Sequence, residues 1–268
     1  MELIELSLVQ WLAVGGAALL VGLTKAGFGA GAGILAVPLM AVALGGSEAM
    51  LPVMLPVLIC GDIFSIIHYP NERNVRNLKI LIPGMVIGVG LGWGLLLWLK
   101  QRVAEGGTEH ASLSGYLDPI VGGVCLIFVG VQLWRYFREW RLTERAEPYK
   151  PENWQGWVVG GVAGATSTLA HAAGSLIALF LLPQKLDKRI YVGTAVTYFF
   201  FGNLIKFVPY GFLGMFTLKT LLTSLALFPV VVLGTLIGVA LNRRLSGRVF
   251  VLFIYFCTLL MGIKLLIG

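Results

Sequence analysis

Lys25, Asp62, His171 and Lys206 can each carry charge or a proton and yet stand in strongly apolar surroundings. Lys25 lies in GLTKAGFGAGAGILAVP, the single charge among the seventeen residues from Gly22 to Pro38. A lysine left facing hydrocarbon costs about 2.5–3.5 kcal/mol, which a bound anion offsets. The glycines around it let a ligand come close to the backbone. A helix restarting near Gly29 or Gly31 aims its first free N–H groups, worth about half a positive charge, at the same spot. That combination suits the binding of a small oxyanion by Lys25, Thr24 and the backbone at Gly27, Gly29 and Gly31. The competing reading has Lys25 snorkelling to an interface.

The corresponding stretch of the second half, GATSTLAHAAGS from 164 to 175, has no lysine. It offers Thr166, Ser167, Thr168, His171 and Ser175, each a hydrogen-bond donor to anionic oxygens. His171 is either a ligand or proton relay, or a hydrogen-bonded structural histidine. Asp62, in CGDIFSIIHY, is a carboxylate within an apolar run and so a candidate functional group. It can carry a coupling proton, hold Na⁺, or pair with Lys25. Asn203, in FGNLIKFVPY, takes the same place in the second half, and one titratable group beside one neutral group suits a single coupling site. Lys206 follows Asn203 by three residues and shares its helical face, where it either snorkels or guards the outer entrance. Tyr69 and Tyr210, again at matching positions, join Asp62 and Lys206 as candidates for coupling or gating, and Asn203 joins the substrate-binding set.

These residues are set in a chain that is 57% hydrophobic and 12% charged, whereas soluble domains carry about a quarter charged residues. Ten apolar runs recur, near 7–23, 28–44, 49–68, 80–99, 117–134, 154–166, 172–183, 190–208, 218–241 and 249–267. They leave no room for a soluble domain, and the expected fold is an all-α polytopic membrane protein. The formal charge of +7 sits in short loops, where it sets orientation rather than binding nucleic acid. The start, MELIELSLVQ, lacks the basic region of a signal peptide and reads as mature chain. Cys60, Cys125 and Cys257 are far apart within apolar runs and read as packing residues, so neither metal nor cofactor is expected.

The chain resembles itself. An offset of 141 residues lays Asp62 on Asn203, Gly61 on Gly202 and Tyr69 on Tyr210, and 142 lays Gly22 on Gly164, Thr24 on Thr166 and Gly92 on Gly234. Two repeats of about five segments follow, 1–150 and 151–268. If every run crosses, one face collects fourteen Lys and Arg from loops 70–79, 135–150, 184–189 and 242–248, against five on the other. By the positive-inside rule the richer face is cytoplasmic. Each half then crosses an odd number of times, so the repeats are inverted and their broken or re-entrant helices meet near the membrane centre. The flanks of Lys25, about 17 residues each, barely span the bilayer and read as such a broken pair.

GFGAGAGILAVPLM after the first run, GDIFSIIHY with its basic loop and IPGMVIGVGLG, and FFFGNLIKFVPYGFLG in the second half resemble the TauE/SafE family of sulfite exporters, also called toluene sulfonate uptake permeases. The likeness covers nearly the whole chain and is carried best by Asn203, Lys206, Pro209 and Tyr210. It implies a multi-pass secondary transporter of the inner membrane that moves sulfite or an organosulfonate, with H⁺ or Na⁺ as coupling ion. LAHAAGS departs from the glycine-rich pattern and puts His171 and Ala172 in the pocket wall, which points to a substrate other than sulfite, such as a sulfonate with a second polar group. A passive anion channel is the alternative. A membrane-embedded enzyme lacks support, since no HExxH, no GxSxG with a base in reach and no paired carboxylates occur. Lipid is the expected surround. The segment 101–117 reads as a flexible connector, 135–150 as an orientation signal with some pull on anionic lipid, and a homodimer stays open.

Overall fold

The computed structural model describes residues 3–28, 35–105, 112–139 and 148–244, together with 259, 260, 263, 264, 266 and 267. The helices are α1 (Leu8–Phe28), α2 (Ala36–Ala43), α3 (Ser47–His68), α4 (Val75–Glu105), α5 (Leu113–Glu139), α6 (Asn153–Ala170), α7 (Gly174–Leu181), α8 (Lys188–Phe212) and α9 (Leu218–Arg244). No strand occurs among the described residues. Five of these helices, α1, α3, α4, α8 and α9, are long and apolar enough to cross a membrane, which makes the chain a polytopic helical membrane protein. The run at 249–267 lies mostly outside the described residues.

The helix starts are written locally. Ser7 Oγ accepts from the Gln10 amide while Gln10 Oε1 accepts from the Ser7 amide, and Glu152 with Gln155 forms the same reciprocal box ahead of α6. Asp187 caps α8 by accepting from the Arg189 amide. The start of α3 is capped instead by α5, where Asp118 Oδ1 takes the Ser47 amide at 2.7 Å and Ser114 Oγ takes the Glu48 amide at 3.1 Å.

In each half a long helix, α1 or α6, is followed by a short one, α2 or α7, of 8 residues. Eight residues rise about 12 Å and cannot cross a ~30 Å hydrocarbon core unaided. The halves exchange partners: α1 lies along α9, and α6 along α4. Backbone contact there requires glycine. A Cβ on Gly22 would overlap the Val231 carbonyl and one on Gly234 the Leu19 carbonyl, while Gly84 and Gly164 abut Trp157 and Met85 in the same way. Between these pairs α3 and α8 cross and touch each other, with α3 resting also on α9 and α8 on α4.

Hydrogen bonds sort the helix ends into two faces. On one, Arg189 meets Glu72 at 2.6 Å, the Asn74 amide meets Thr194 at 2.8 Å, Asn77 meets Gln184 at 2.9 Å, and Lys188 reaches the Asn242 carbonyl. This gathers loop 70–79, the stretch around 184–189 and the end of α9 on a single basic face. On the other, Ile4 meets Thr223 at 3.3 Å and Lys100 reaches the Leu213 carbonyl. Hence α1 and α3 start on the second face, α6 and α8 on the basic one.

The first part of the expected break TKAGFGAGAG is helical, and the rest, with the helix restart near Gly29 or Gly31, lies outside the described residues. Helix α1 runs unbroken through Lys25 to Phe28, because Gly22 and Gly27 serve contact with α9 rather than a turn. In the second half α6 continues to Ala170, so Thr166, Ser167 and Thr168 are helical and the interruption is only His171 to Ala173.

Candidate functional site

Asp62 and Asn203 each lie fifteen residues, about 22 Å, from the start of their helix. Since α3 and α8 start on opposite faces, the two residues meet at the middle of the bundle. They touch: Asn203 Nδ2 donates to Asp62 Oδ2 at 2.6 Å. The other carboxylate oxygen, Oδ1, accepts from Lys25 Nζ at 2.5 Å, and that ammonium also donates to the Leu58 carbonyl at 3.1 Å. The Phe199 ring sits 5.7 Å from the same nitrogen and offers its negative face to the remaining charge. Lys25 is 8% exposed and Asp62 wholly buried, so neither the snorkel nor a solvated carboxylate describes them. A buried ion pair of this kind needs its leftover lone pairs and protons filled, and here Asn203 and Leu58 fill them.

The second half builds a different cluster, with its lysine on another helix. Lys206 is wholly buried rather than placed at an outer rim. Its Nζ faces Ser167 Oγ at 2.9 Å, the Ser167 carbonyl at 3.2 Å and His171 Nδ1 at 2.9 Å. Three acceptors match the three N–H bonds of an ammonium. His171 Nε2 is 3.1 Å from the Leu51 carbonyl, an acceptor only, so that nitrogen carries the proton and Nδ1 accepts from Lys206. His171 thus bridges α8 to α3 from the break between α6 and α7. It holds a left-handed conformation, φ 49°, that a non-glycine residue adopts at a cost of about 1–2 kcal/mol.

Two tyrosines frame the clusters alike. Tyr69 Oη donates to the Ala26 carbonyl at 2.8 Å, and Tyr210 Oη to the Thr168 carbonyl at 2.6 Å. Each ties the end of the third helix of its half to the end of the first. Taken together, the centre holds two lysines, one aspartate and one neutral histidine. With the lysines and the aspartate ionised, one positive charge lacks a counter-ion among the described residues.

Several expected ligands have other occupations. Thr24 Oγ1 bonds the Leu20 carbonyl at 2.5 Å, Thr166 the Val162 carbonyl at 2.8 Å and Thr168 the Gly164 carbonyl at 2.9 Å, all on their own helices. Gly27 packs on Gly238 of α9. Gly29 and Gly31 fall outside the described residues, as does the side chain of Ser175. Two partners have no signal in the sequence: the Leu51 carbonyl, a backbone atom, and Phe199, one of three consecutive phenylalanines. The space at the centre is small. A void of about 10 Å³ beside Ser167, Phe199 and Gly202 has room for about one water. On the basic side a larger cavity of about 290 Å³ reaches Gly27, two residues from Lys25, between Leu181, Lys188 and Tyr191.

The centre thus sets a buried ion pair of α1 and α3 beside a lysine–histidine cluster of α8 and the α6–α7 break. No match is found among curated proteins or among solved structures. A match to the profile of the sulfite exporter TauE/SafE family extends over residues 14–265, nearly the whole chain, and the protein belongs to that family.

Proposed function

We propose that the protein is a secondary transporter carrying a small sulfur-containing anion, sulfite or an organosulfonate, across the inner membrane by alternating access. The reading is carried by one observation: two buried lysines stand near the crossing with one carboxylate, and Asp62 pairs with Lys25 while Lys206 contacts only Ser167 and His171. Family membership supplies the class of cargo. A singly charged oxyanion supplies the missing negative charge. Its oxygens take the N–H bonds of Lys206 now given to Ser167 and His171 and add a Coulomb attraction that those neutral acceptors lack.

Coupling follows from competition. Lys25 is occupied by Asp62, and H⁺ or Na⁺ on that carboxylate frees the ammonium for the anion. Cation and anion therefore favour each other's binding and travel together. The two repeats, 1–150 and 151–268, are inverted about an axis through the Asp62–Asn203 contact. Support comes from the opposite starting faces of α3 and α8, the exchanged packing of α1 on α9 and α6 on α4, and the paired tyrosine bonds. The basic face is cytoplasmic, and the 290 Å³ cavity beside Gly27 is the inner approach to Lys25.

Reconstituted protein in liposomes tests this. Sulfite and toluenesulfonate are expected to accumulate when an H⁺ or Na⁺ gradient is imposed, and Asp62→Asn to leave only downhill flux. Flux that runs downhill alone in the native protein, indifferent to Asp62, would make it a channel. Unchanged binding and flux in both Lys25→Ala and Lys206→Ala would remove the anion site.

A further inference from the structure

A second anion-attracting cavity lies far from the central clusters, on the basic face. It measures about 590 Å³ and is lined by Val75, Arg76 and Lys79 of α4, Ile80 beneath them, and Asn153 and Trp157 of α6. Arg76 is steadied across the gap by a bond to the Pro151 carbonyl at 3.3 Å, which uses one of its five N–H donors. Lys79 is exposed, with no hydrogen bond or ion pair among the described residues. The nearby carboxylate, Glu152, is taken up by its capping box and by Trp154 Nε1 at 2.7 Å. Above the cavity the same two helices show an apolar outer face, Val86, Ile87 and Leu91 on α4, Val158 and Val162 on α6. Trp154 and Trp157, both more than half exposed, stand at the boundary between the polar and apolar zones, where indoles favour the headgroup level.

The other half supplies an internal control. At the offset of 142, Arg76 becomes Leu218, Lys79 becomes Leu221, Asn153 becomes Trp11 and Trp157 becomes Gly15. There α1 and α9 pack closely as α4 and α6 do, with no cation at these four positions. The packing of the fold therefore does not call for Arg76 and Lys79; orientation accounts for basic residues on this face, and these two also line one cavity.

We propose that this groove binds an anionic phospholipid, its phosphate between Arg76 and Lys79 and its acyl chains along the outer face of α4 and α6. The site is independent of the transport cycle and stands whether or not the central clusters carry sulfite. The experiment is thermal unfolding of the purified protein in neutral detergent with added phosphatidylglycerol, phosphatidylcholine or inorganic phosphate. Phosphatidylglycerol alone is expected to raise the midpoint. Arg76→Gln/Lys79→Gln is expected to weaken its apparent affinity about thirtyfold, at about 1 kcal/mol per cation. A charge-matched control, Arg73→Gln/Lys185→Gln, is expected to keep it. Equal stabilisation by phosphatidylcholine, an equal effect of inorganic phosphate, or an equal loss in the control pair each overturns the site. Should the groove variant fail to fold, lipid titration into Lys79→Gln alone decides between a loss of about fivefold and none.

Discussion

The two halves share a scaffold and differ in where they put charge. Both tie the third helix to the first by a tyrosine donating to a backbone carbonyl, Tyr69 to Ala26 and Tyr210 to Thr168. Both bring a short polar side chain to the crossing, Asp62 and Asn203, and these bond each other. The lysine, however, has changed helix. In the first half it is on α1, Lys25, facing a carboxylate; in the second, Ser167 stands at the register of Lys25 and Lys206 at that of Ser65. Lys25 has an ionic partner and Lys206 only neutral ones. On the proposed function, with Lys206 ionised, the unmatched positive charge belongs to the second half, and an entering anion gains most there.

The largest test of this difference is removal of the carboxylate. Asp62→Leu leaves two buried ammonium groups with no counter-ion, and breaking a buried pair on one side costs about 3–5 kcal/mol. The thermal midpoint of detergent-solubilised protein is expected to fall sharply, and equally so in Lys25→Met. The double variant, apolar at both positions, is expected to recover most of the loss. If the double variant is as unstable as the sum of the two singles, Lys25 and Asp62 are not a coupled pair and the comparison fails.

Lys206→Met should behave differently. It removes a buried cation that has no ionic partner, so relief of desolvation offsets the loss of its bonds to Ser167 and His171. The stability change is expected to stay within about 1 kcal/mol while sulfonate binding, followed by calorimetry, is lost. A fall as large as that of Lys25→Met would show that Lys206 is a structural member of the ionic pair rather than the seat of the free charge.

Much of this was legible before any coordinates. The offsets that align Asp62 with Asn203 and Gly22 with Gly164 place residues that do meet, or that occupy equivalent helix contacts. Charge within apolar runs picked out Lys25, Asp62, His171 and Lys206, which converge at the centre. What a sequence does not distinguish is a glycine that turns a chain from one that admits a neighbouring helix. Gly27 is of the second kind, so α1 continues through residues 24–28, the first part of the expected break. Nor does it tell a threonine facing a ligand from one bonding its own helix, as Thr24, Thr166 and Thr168 do. Lys206 looked like a rim residue because its burial depends on Ser167 and His171, partners 39 and 35 positions away.

The tyrosine ties sharpen the shared side of the comparison. Tyr69→Phe and Tyr210→Phe each remove one buried hydrogen bond, worth about 1 kcal/mol, and leave the ring in place. Equal losses of stability are expected, since both bonds join equivalent points of an equivalent frame. A marked inequality would mean that the halves differ in mechanics as well as in charge.

The smallest expected effect concerns His171. At its register the first half has Gly29, a residue free to adopt positive φ. In the second half a histidine accepts the strain of φ 49°, and the bonds to Lys206 and to the Leu51 carbonyl hold it there. Replacement by alanine keeps the strain and loses both bonds. Replacement by glycine loses the bonds but releases the strain. The two variants should therefore differ by about 1 kcal/mol in favour of glycine, with His171→Gly within about 1 kcal/mol of the native protein. Comparing their unfolding midpoints measures the strain free of any assumption about transport. Should alanine and glycine prove equal, the left-handed turn is not imposed on this residue by the fold, and its side chain would have to be held by something other than the link between α3 and α8.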